Sequence, residues 1–522
     1  MSYSMKLTKT DYLIYLDCAK NAWLKIHKPD IYHAKPPSQF DLTIIETGNE
    51  VDTLARELFP GGVTLGRDDV DETMALVKSQ TPILYQPVFE TDTYKIACDI
   101  MVWNETAGGY DVFEVKASNS GDDKKAKDEL YTNDLAFQYV VLEALDVPLN
   151  KLYLIRLNSD YIRGTELILN ELFTQEDFTD RVTASASIVT ADMENAYGVL
   201  SSEHEPQGEC KCITRGRSSH CTTFAYSNPQ VPAYSVHDIS RIGMSKKKLA
   251  ELIDSGIFSI QDVPKEFELS EVQRNQVNVA QSGKKIVRFE ELNDFLNQIN
   301  FPIAFLDYET FPSAIPRFAG YSPFNQIPFQ FSLHVFSKDN KELTHTEFLF
   351  TDSKNPDVAF IKALQDNLPD SGSIIVWNKR FEMGINTQLG ERNPDYKASL
   401  EAINARVIDL MEPFARQYFV HAGFKGKTSI KSVLPTLVPN LSYKELDISE
   451  GATASDTWNK IVTGEYSDIE AKTKADNLRT YCQLDTYAMF AIWDYLLGVI
   501  EKRIEAAGDE HMQLQRDIMR GK

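Results

Sequence analysis

The sequence predicts an α/β chain built from more than one domain. Three observations carry that expectation. Two separate regions alternate helical apolar periodicity with short strand-like runs, a polar cysteine-bearing stretch lies between them, and 522 residues exceed what one hydrophobic core organises. Apolar residues at 43% and charged residues at 25% are ordinary for a globular protein, which sets aside disordered and collagen-like classes.

In chain order, helical periodicity covers residues 8–27 and 42–58, and strand-like runs follow at 82–89, 94–103 and 110–117 before a helix over 124–145. Residues 203–232 read as loop and hold three of the six cysteines. A helical linker covers 234–285. The second α/β region opens at Phe301 with the strand FPIAFLDYETF and closes with a helix over 472–504; the polar tail after Ala507 is expected to fray. The expected boundaries are therefore 1–232, 233–298 and 299–510. No internal repeat is visible.

Nothing approaches the roughly 20 continuous apolar residues of a membrane span, and the N-terminus MSYSMKLTKTDYLIYLDCAK has no signal-peptide pattern, so a cytoplasmic location is expected. Six cysteines are too few for a disulfide scaffold and point to metal ligands or buried thiols. The net charge of −22 opposes the simplest nucleic-acid binder, which neutralises phosphates with Lys and Arg. Sites for divalent ions are built from carboxylates, however, and the basic residues cluster locally, at Lys124, Lys125 and Lys127, at Arg241 with Lys246, Lys247 and Lys248, at Lys284, Lys285 and Arg288, and at Lys425, Lys427 and Lys431.

The first candidate site lies on YKIACDIMVW and GYDVFEVKAS. Asp99 is expected near the middle of one strand, and Glu114 with Lys116 on one face of the next. Carboxylates on adjacent strands can share Mg²⁺, while a lysine stabilises the attacking hydroxide or the charged transition state. A D…E-x-K pattern also arises by chance in amphipathic hairpins, so its surroundings matter. GNEVDTLAR lies on a helix upstream, and DLAFQYVVLEAL places Gln138 on a helix downstream. This order resembles the PD-(D/E)xK core of the RecB, AddB and CRISPR-associated RecB-like nucleases over about residues 5–225. The resemblance implies a restriction-endonuclease-like fold with Asp99 and Glu114 as metal ligands and Lys116 and Gln138 in catalysis. The family's upstream histidine matches Asp52, leaving Asp52 or Glu50 as a further ligand, and Leu142 stands at the family's tyrosine position.

Cys18 in YLDCAKNAWL precedes that core, and Cys210, Cys212 and Cys221 in ECKCITRGRSSHC follow it. One cysteine before and three after resembles the iron-sulfur clasp of the same nucleases, implying a [4Fe-4S] cluster that closes a loop of roughly 200 residues without a disulfide. Zn²⁺ satisfies the same donors, with His220 or His204 able to replace a cysteine. Cys98 and Cys482 are expected as buried small apolar residues.

In the linker, RIGMSKKKLAELIDSGI reads as a degenerate helix-hairpin-helix with a glycine turn after Ile242 and Gly256 as cap. Such a hairpin offers amides and lysines, here Lys246 and Lys247, to phosphates. The alternative is a solvated spacer.

The second candidate site begins on FPIAFLDYETF, where alternation projects Asp307 and Glu309 from one face. Two carboxylates so close in a buried strand need a cation to compensate them. GSIIVWNKRFEMGIN then brings Asn378, Phe381 and Glu382 to a helix start, and RTYCQLDTYAMF places Tyr481 and Asp485 four residues apart on one helical face. D-x-E, N-x-x-F-E and Y-x-x-x-D in this order resemble the DEDDy exonucleases of the RNase H-like superfamily over about residues 300–505. The resemblance implies two Mg²⁺ or Mn²⁺ ions held by Asp307, Glu309, Glu382 and Asp485, with Tyr481 positioning the attacking water. Glu382 departs from the family's aspartate, and Asp409 in RVIDLMEPF is a substitute ligand. SIKSVLPTLVP is similar to a polymerase-exonuclease segment that lies beside DNA, implying phosphate contacts from Ser429 and Lys431.

The whole chain resembles bacterial fusions of a RecB-like nuclease to a DEDD exonuclease-like domain. That implies metal-dependent cleavage of DNA, favoured over RNA, with 3'-to-5' chemistry in the second half and a role in repair or defence. The competing expectation is a nucleic-acid-binding or scaffold protein in which one or both sites are inactive.

Overall fold

A computed structural model describes residues 5–119, 124–208, 210–338 and 341–507; the tail expected to fray lies outside these described residues. The chain is a mixed α/β protein and divides into two compact units, Met1–Val231 with Ser313–Asn325, and Pro232–Pro312 with Gln326–Lys522. Among the described residues no helix is long and apolar enough to cross a membrane.

Unit 1 departs from the expected elements in two places that matter for its sites. The helix expected over 8–27 is two helices, α1 (Lys9–Asp17) and α2 (Ala19–His27), broken at Cys18, whose φ of −156° and ψ of 103° are extended. Thr8 starts α1 by accepting the Asp11 N–H. A longer helix, α3 (Gln39–Ala55), opens with a Ser38/Asp41 capping box.

The run expected as one strand over 94–103 is also divided. The strands in order are β1 (Leu7–Thr8), β2 (Val63–Thr64), β3 (Ile83–Tyr85), β4 (Val88–Glu90), β5 (Tyr94–Ala97), β6 (Ile100–Asn104), β7 (Gly109–Asn119), β8 (Leu149–Leu157) and β9 (Phe173–Asp177). β5 belongs to a three-stranded sheet of order β1-β5-β4, and β6 to a six-stranded sheet of order β2-β3-β6-β7-β8-β9. Asp99 therefore sits at a change of sheet, just before β6, rather than within a strand. β6 and β7 are antiparallel, while β7 and β8 are parallel and joined by helix α4 (Lys124–Ala144). Leu135, Phe137 and Val141 of α4 pack with Val112 and Leu154 of the sheet and Met193 of α5 (Thr179–Leu200). Ala314, from the stretch 313–325, is buried in a second cluster with Val51 and Phe113.

Unit 2 contains helices α6 (Lys246–Asp254), α7 (Glu271–Ser282), α8 (Lys379–Arg392), α9 (Ile430–Leu437), α10 (Gly451–Thr463) and α11 (Asp468–Ala507). Its strands are β10 (Ile286–Val287), β11 (Ile303–Pro312), β12 (Gln326–Phe336), β13 (Leu343–Leu349), β14 (Ser373–Val376), β15 (Val407–Asp409) and β16 (Phe419–Val420). β10 pairs with β16, stitching the segment that reads as a linker to unit 2. In the main sheet, of order β13-β12-β11-β14-β15, β12 is antiparallel to both of its neighbours, and β11, β14 and β15 are parallel.

Alternation along β11 explains where its acids point. Ala304, Leu306 and Tyr308 enter a core with Phe360, Ile361, Ile385 and Leu389. Phe305, on the opposite face, meets Phe490 and Trp493 of α11. Asp307 and Glu309 continue along that face. Buried polar residues of β12 hold the helix in place: Gln330 donates to Leu478 O at 3.0 Å, and Ser332 Oγ and His334 Nδ1 each lie 2.8 Å from Thr486 Oγ1.

Candidate functional site

In unit 2 the acids from β11, α8 and α11 come together. Glu309, Glu382 and Asp485 are buried, Asp307 half-buried. Burial first, and the charge of Asp485 second, push Asp307 well above the usual carboxylate range. Glu309 is raised by burial and then by Asp307 and Asp485, and Glu382 by burial and then by Asp307. Burial raises Asp485 to about 6, against the lowering effect of the Tyr443 hydroxyl, which donates to its Oδ1 at 2.6 Å. Four carboxyls felt by one another in a buried space cannot all ionise without a cation.

Part of this set could hold a metal ion: donor atoms of Asp307, Glu309 and Cys482 all lie within 4.8 Å of one another, and among the described residues the buried Glu382 Oε2 has no hydrogen-bond partner. Glu382 lies in the first turn of α8, where Asn378 takes a left-handed φ of 75°. Asp409 fixes that turn: its oxygens accept N–H groups of Asn378, Lys379 and Met411 at 3.0, 3.1 and 3.0 Å, so both are engaged.

Lys431 points inward rather than toward an outer phosphate. Its Nζ donates to Ser449 O at 2.7 Å and to Tyr481 Oη at 3.2 Å, and sits 5.2 Å from the Tyr481 ring centroid. Its charge opposes the rise of Asp307, Glu309 and Asp485. Ser429, at the N-cap of α9, is exposed and pairs with Ser432 at 2.9 Å. Sequence reading missed Tyr443, which no local pattern marks because it matters only through what α11 faces; Cys482 is buried as expected, with its Sγ 3.8 Å from Asp307 Oδ2.

The acidic group of unit 1 is neutralised by lysines. Glu114 receives Lys116 at 2.6 Å, Lys9 at 2.8 Å and Gln138 Nε2 at 2.8 Å. Asp134 receives the same two lysines, at 2.6 Å from Lys116 and 2.9 Å from Lys9. Burial would raise Glu114, but Lys116 and Lys9 reverse this and hold it far below the carboxylate range. Asp99 accepts the Val115 N–H at 2.8 Å; burial and then Glu114 push it up to about 7. Asp52 is raised by burial and lowered by its ion pair with Arg56, and it interacts with Asp99 and Glu114, whereas the charge acting on Glu50 is that of Arg317. Asp99, Glu114, Lys116, Gln138 and Asp52 are thus brought together. Lys9 and Asp134 were missed, although Asp134 stands four residues before Gln138 on the same helical face.

The four cysteines Cys18, Cys210, Cys212 and Cys221 form one group whose Sγ atoms all lie within 4.8 Å, and they can hold a metal. The break between α1 and α2 presents Cys18 to the loop. Cys210 and Cys221 Sγ are 4.0 Å apart, and Asn228 Nδ2 donates to Cys210 Sγ at 3.2 Å. Hydrogen bonds among the four thiols favour sharing of a negative charge within the group, lowering Cys210 while raising Cys212 and Cys221. Asn21 Oδ1 accepts from Thr222 Oγ1 at 2.9 Å and Thr223 Oγ1 at 2.8 Å, pinning the loop to α2. His220 is held elsewhere, stacked on Phe224 with Nε2 3.1 Å from Arg215 O.

In the helix-hairpin-helix-like segment, Gly256 follows the helix with φ +71°, as a cap should, but the left-handed residue before it is Arg241 rather than Gly243. Lys246 and Lys247 are exposed in the first turn of α6, while Lys248 pairs with Glu268 at 3.2 Å.

Residues 304–429, from β11 to the start of α9, match the model of a domain of unknown function, DUF2779. Over 301 residues the chain is 25% identical to the uncharacterized protein UU173 of Ureaplasma parvum serovar 3, covering 53% of this chain and 42% of that one. Over 225 residues it is 27% identical to the uncharacterized protein MG366 of Mycoplasma genitalium, covering 40% and 33%. The chain thus spans less than half the length of these curated relatives. No solved structure matches. These likenesses carry no activity with them.

Proposed function

We propose that the protein is a metal-dependent nuclease whose working site is the carboxylate pocket of unit 2, cutting DNA by 3'-to-5' exonuclease chemistry. The observation that carries this reading is the convergence of Asp307, Glu309, Glu382 and Asp485 into one buried, mutually repelling group beside Tyr481. Bound Mg²⁺ or Mn²⁺ would supply Lewis-acid polarisation and lower the pKa of a bound water. The chain's own part is positional: Lys431 holds the Tyr481 hydroxyl, which orients the water, and Tyr443 fixes the Asp485 carboxylate. The central place of β11 in a five-stranded mixed sheet supports an RNase H-like fold. In unit 1 the β6–β7 hairpin and its crossover helix support a PD-(D/E)xK fold.

A second reading, binding without cleavage, is favoured for unit 1 alone. There Glu114 already accepts from Lys9, Lys116 and Gln138, so two ammonium groups compensate its charge and compete with any entering ion. End-labelled single- and double-stranded DNA and RNA, incubated with Mn²⁺, Mg²⁺ or EDTA, test both readings. Asp307→Ala should lower metal-dependent cleavage by about a hundredfold or more, and Lys116→Ala should leave most of it. If neither substitution reduces cleavage, the activity does not belong to this protein.

The cysteine group supports a structural metal. Four thiolates on one tetrahedral ion at bonds of about 2.3 Å lie about 3.8 Å apart, whereas each thiolate of a [4Fe-4S] cluster binds a different iron and the sulfurs spread farther. The spacing of 4.0 Å between Cys210 and Cys221 therefore favours a single Zn²⁺ over the cluster that the resemblance implies. Metal analysis of Asp307→Ala, with the carboxylate pocket disabled, should return one zinc in a colourless protein; broad visible absorption from an anaerobic preparation would restore the cluster.

A further inference from the structure

Cys482 has no role in the four-carboxylate scheme, yet it is fully buried in the carboxylate pocket. It follows Tyr481 on α11, and its Sγ lies 3.8 Å from Asp307 Oδ2. One donor atom from each of Asp307, Glu309 and Cys482 falls within a 4.8 Å sphere of mutual distances. With M–O bonds of about 2.1 Å and M–S bonds of about 2.3 Å, a single ion can touch all three. A second observation points to the same place: Glu382, 2% exposed, has an Oε2 with no hydrogen-bond partner among the described residues, and the strongest charge acting on it is that of Asp307.

We propose that Cys482 is a metal ligand, giving the pocket one soft donor beside its hard carboxylates and tuning it to a later, more thiophilic divalent ion such as Co²⁺ or Zn²⁺ rather than Mg²⁺. This rests on the reading of the pocket as a cation site. Oxygen-only sites suit Mg²⁺, while a thiolate shifts preference toward later, softer ions whatever their concentration order. On binding, the sulfur–metal bond forms as the S–H bond breaks, and the proton leaves to solvent, so uptake of the ion releases acid. A serine at this position would offer a hard hydroxyl and a shorter reach.

The test is a Co²⁺ titration of the full chain with its four-cysteine group already filled, read in the near ultraviolet, where sulfur-to-cobalt charge transfer appears. The wild-type protein should develop such a band that saturates at one equivalent. It should be missing in Cys482→Ser, in Cys482→Ala and in Asp307→Asn. The Mg²⁺ concentration that displaces half the Co²⁺ should fall by about tenfold or more in Cys482→Ser. No band in the wild type, or a band that survives in a folded Cys482 variant, overturns the proposal; the wild-type result decides even if a variant fails to fold. Cleavage assayed in parallel separates the two readings. Mg²⁺-driven cleavage without the band sinks the thiolate ligand alone, and the band without cleavage under any ion sinks the nuclease reading alone.

Discussion

Lys431 shows how one side chain decides the state of a whole pocket. Its ammonium is the positive charge that lowers Asp307, Glu309 and Asp485 together, and its two hydrogen bonds hold it against Ser449 O and Tyr481. Lys431→Met keeps most of the volume and removes the charge. In EDTA the variant should lose about 2 kcal/mol of stability, because breaking a partly buried charge group leaves like charges uncompensated. Saturating Mn²⁺ should shrink that deficit by replacing the lost cation. Denaturant midpoints with and without Mn²⁺ check this; an equal deficit in both would mean that Lys431 only packs.

Elements bring these residues into register, and two joints carry that task. Gly372, with φ +85°, precedes β14, and a Cβ there would stand 1.9 Å from Pro302 O. Gly372→Ala must therefore push β14 away from β11, and with it the turn that carries Glu382. A loss of about 3 kcal/mol is expected from overlap plus left-handed strain, measurable by thermal or denaturant unfolding. The other joint is β12 against α11, where His334 meets Thr486. Burial, followed by the nearby His345, lowers His334 to about 4. The unfolded ring binds its proton near pH 6.5, so the folded state binds fewer protons between pH 6.5 and 4. Stability from the neutral ring is complete above 6.5 and is lost as the pH falls toward 4. The stability difference between wild type and His334→Gln should shrink by on the order of 2 kcal/mol over that window. A difference that stays constant would mean the ring does not titrate there.

At the scale of the molecule, a net charge of −22 repels nucleic acid, so any phosphate contact has to be local. Lys246 and Lys247 lie exposed at the N-terminal turn of α6, where cations oppose the helix dipole and an anion would relieve both. Replacing both with glutamate should weaken DNA binding uniformly across sequences. The slope of log K against log salt on duplex DNA should also flatten by roughly 2, one phosphate contact per lysine. An unchanged slope would make α6 a solvated spacer. The stretch 313–325 adds a second molecular-scale feature. It follows β11 and precedes β12 along the chain and belongs to unit 1, where Ala314 is buried and Ile315 and Phe324 pack against the same cluster.

Local rules reached the acids but not their company. A strand period of two places Asp307 and Glu309 on one face, and a helical period near four places Tyr481 above Asp485; both follow from the backbone alone, as does the presence of one early and three late cysteines. The change of sheet at Asp99 was invisible, because a continuous apolar run looks the same whether one sheet or two receive it. Lys9 against Glu114, Lys431 against Tyr481 and Cys482 against Asp307 were likewise decided only in three dimensions. Periodicity states which face a side chain leaves from, whereas the partner it meets depends on which distant element packs over that face. In this protein the packing determines whether an acid finds a lysine or is left needing a metal ion.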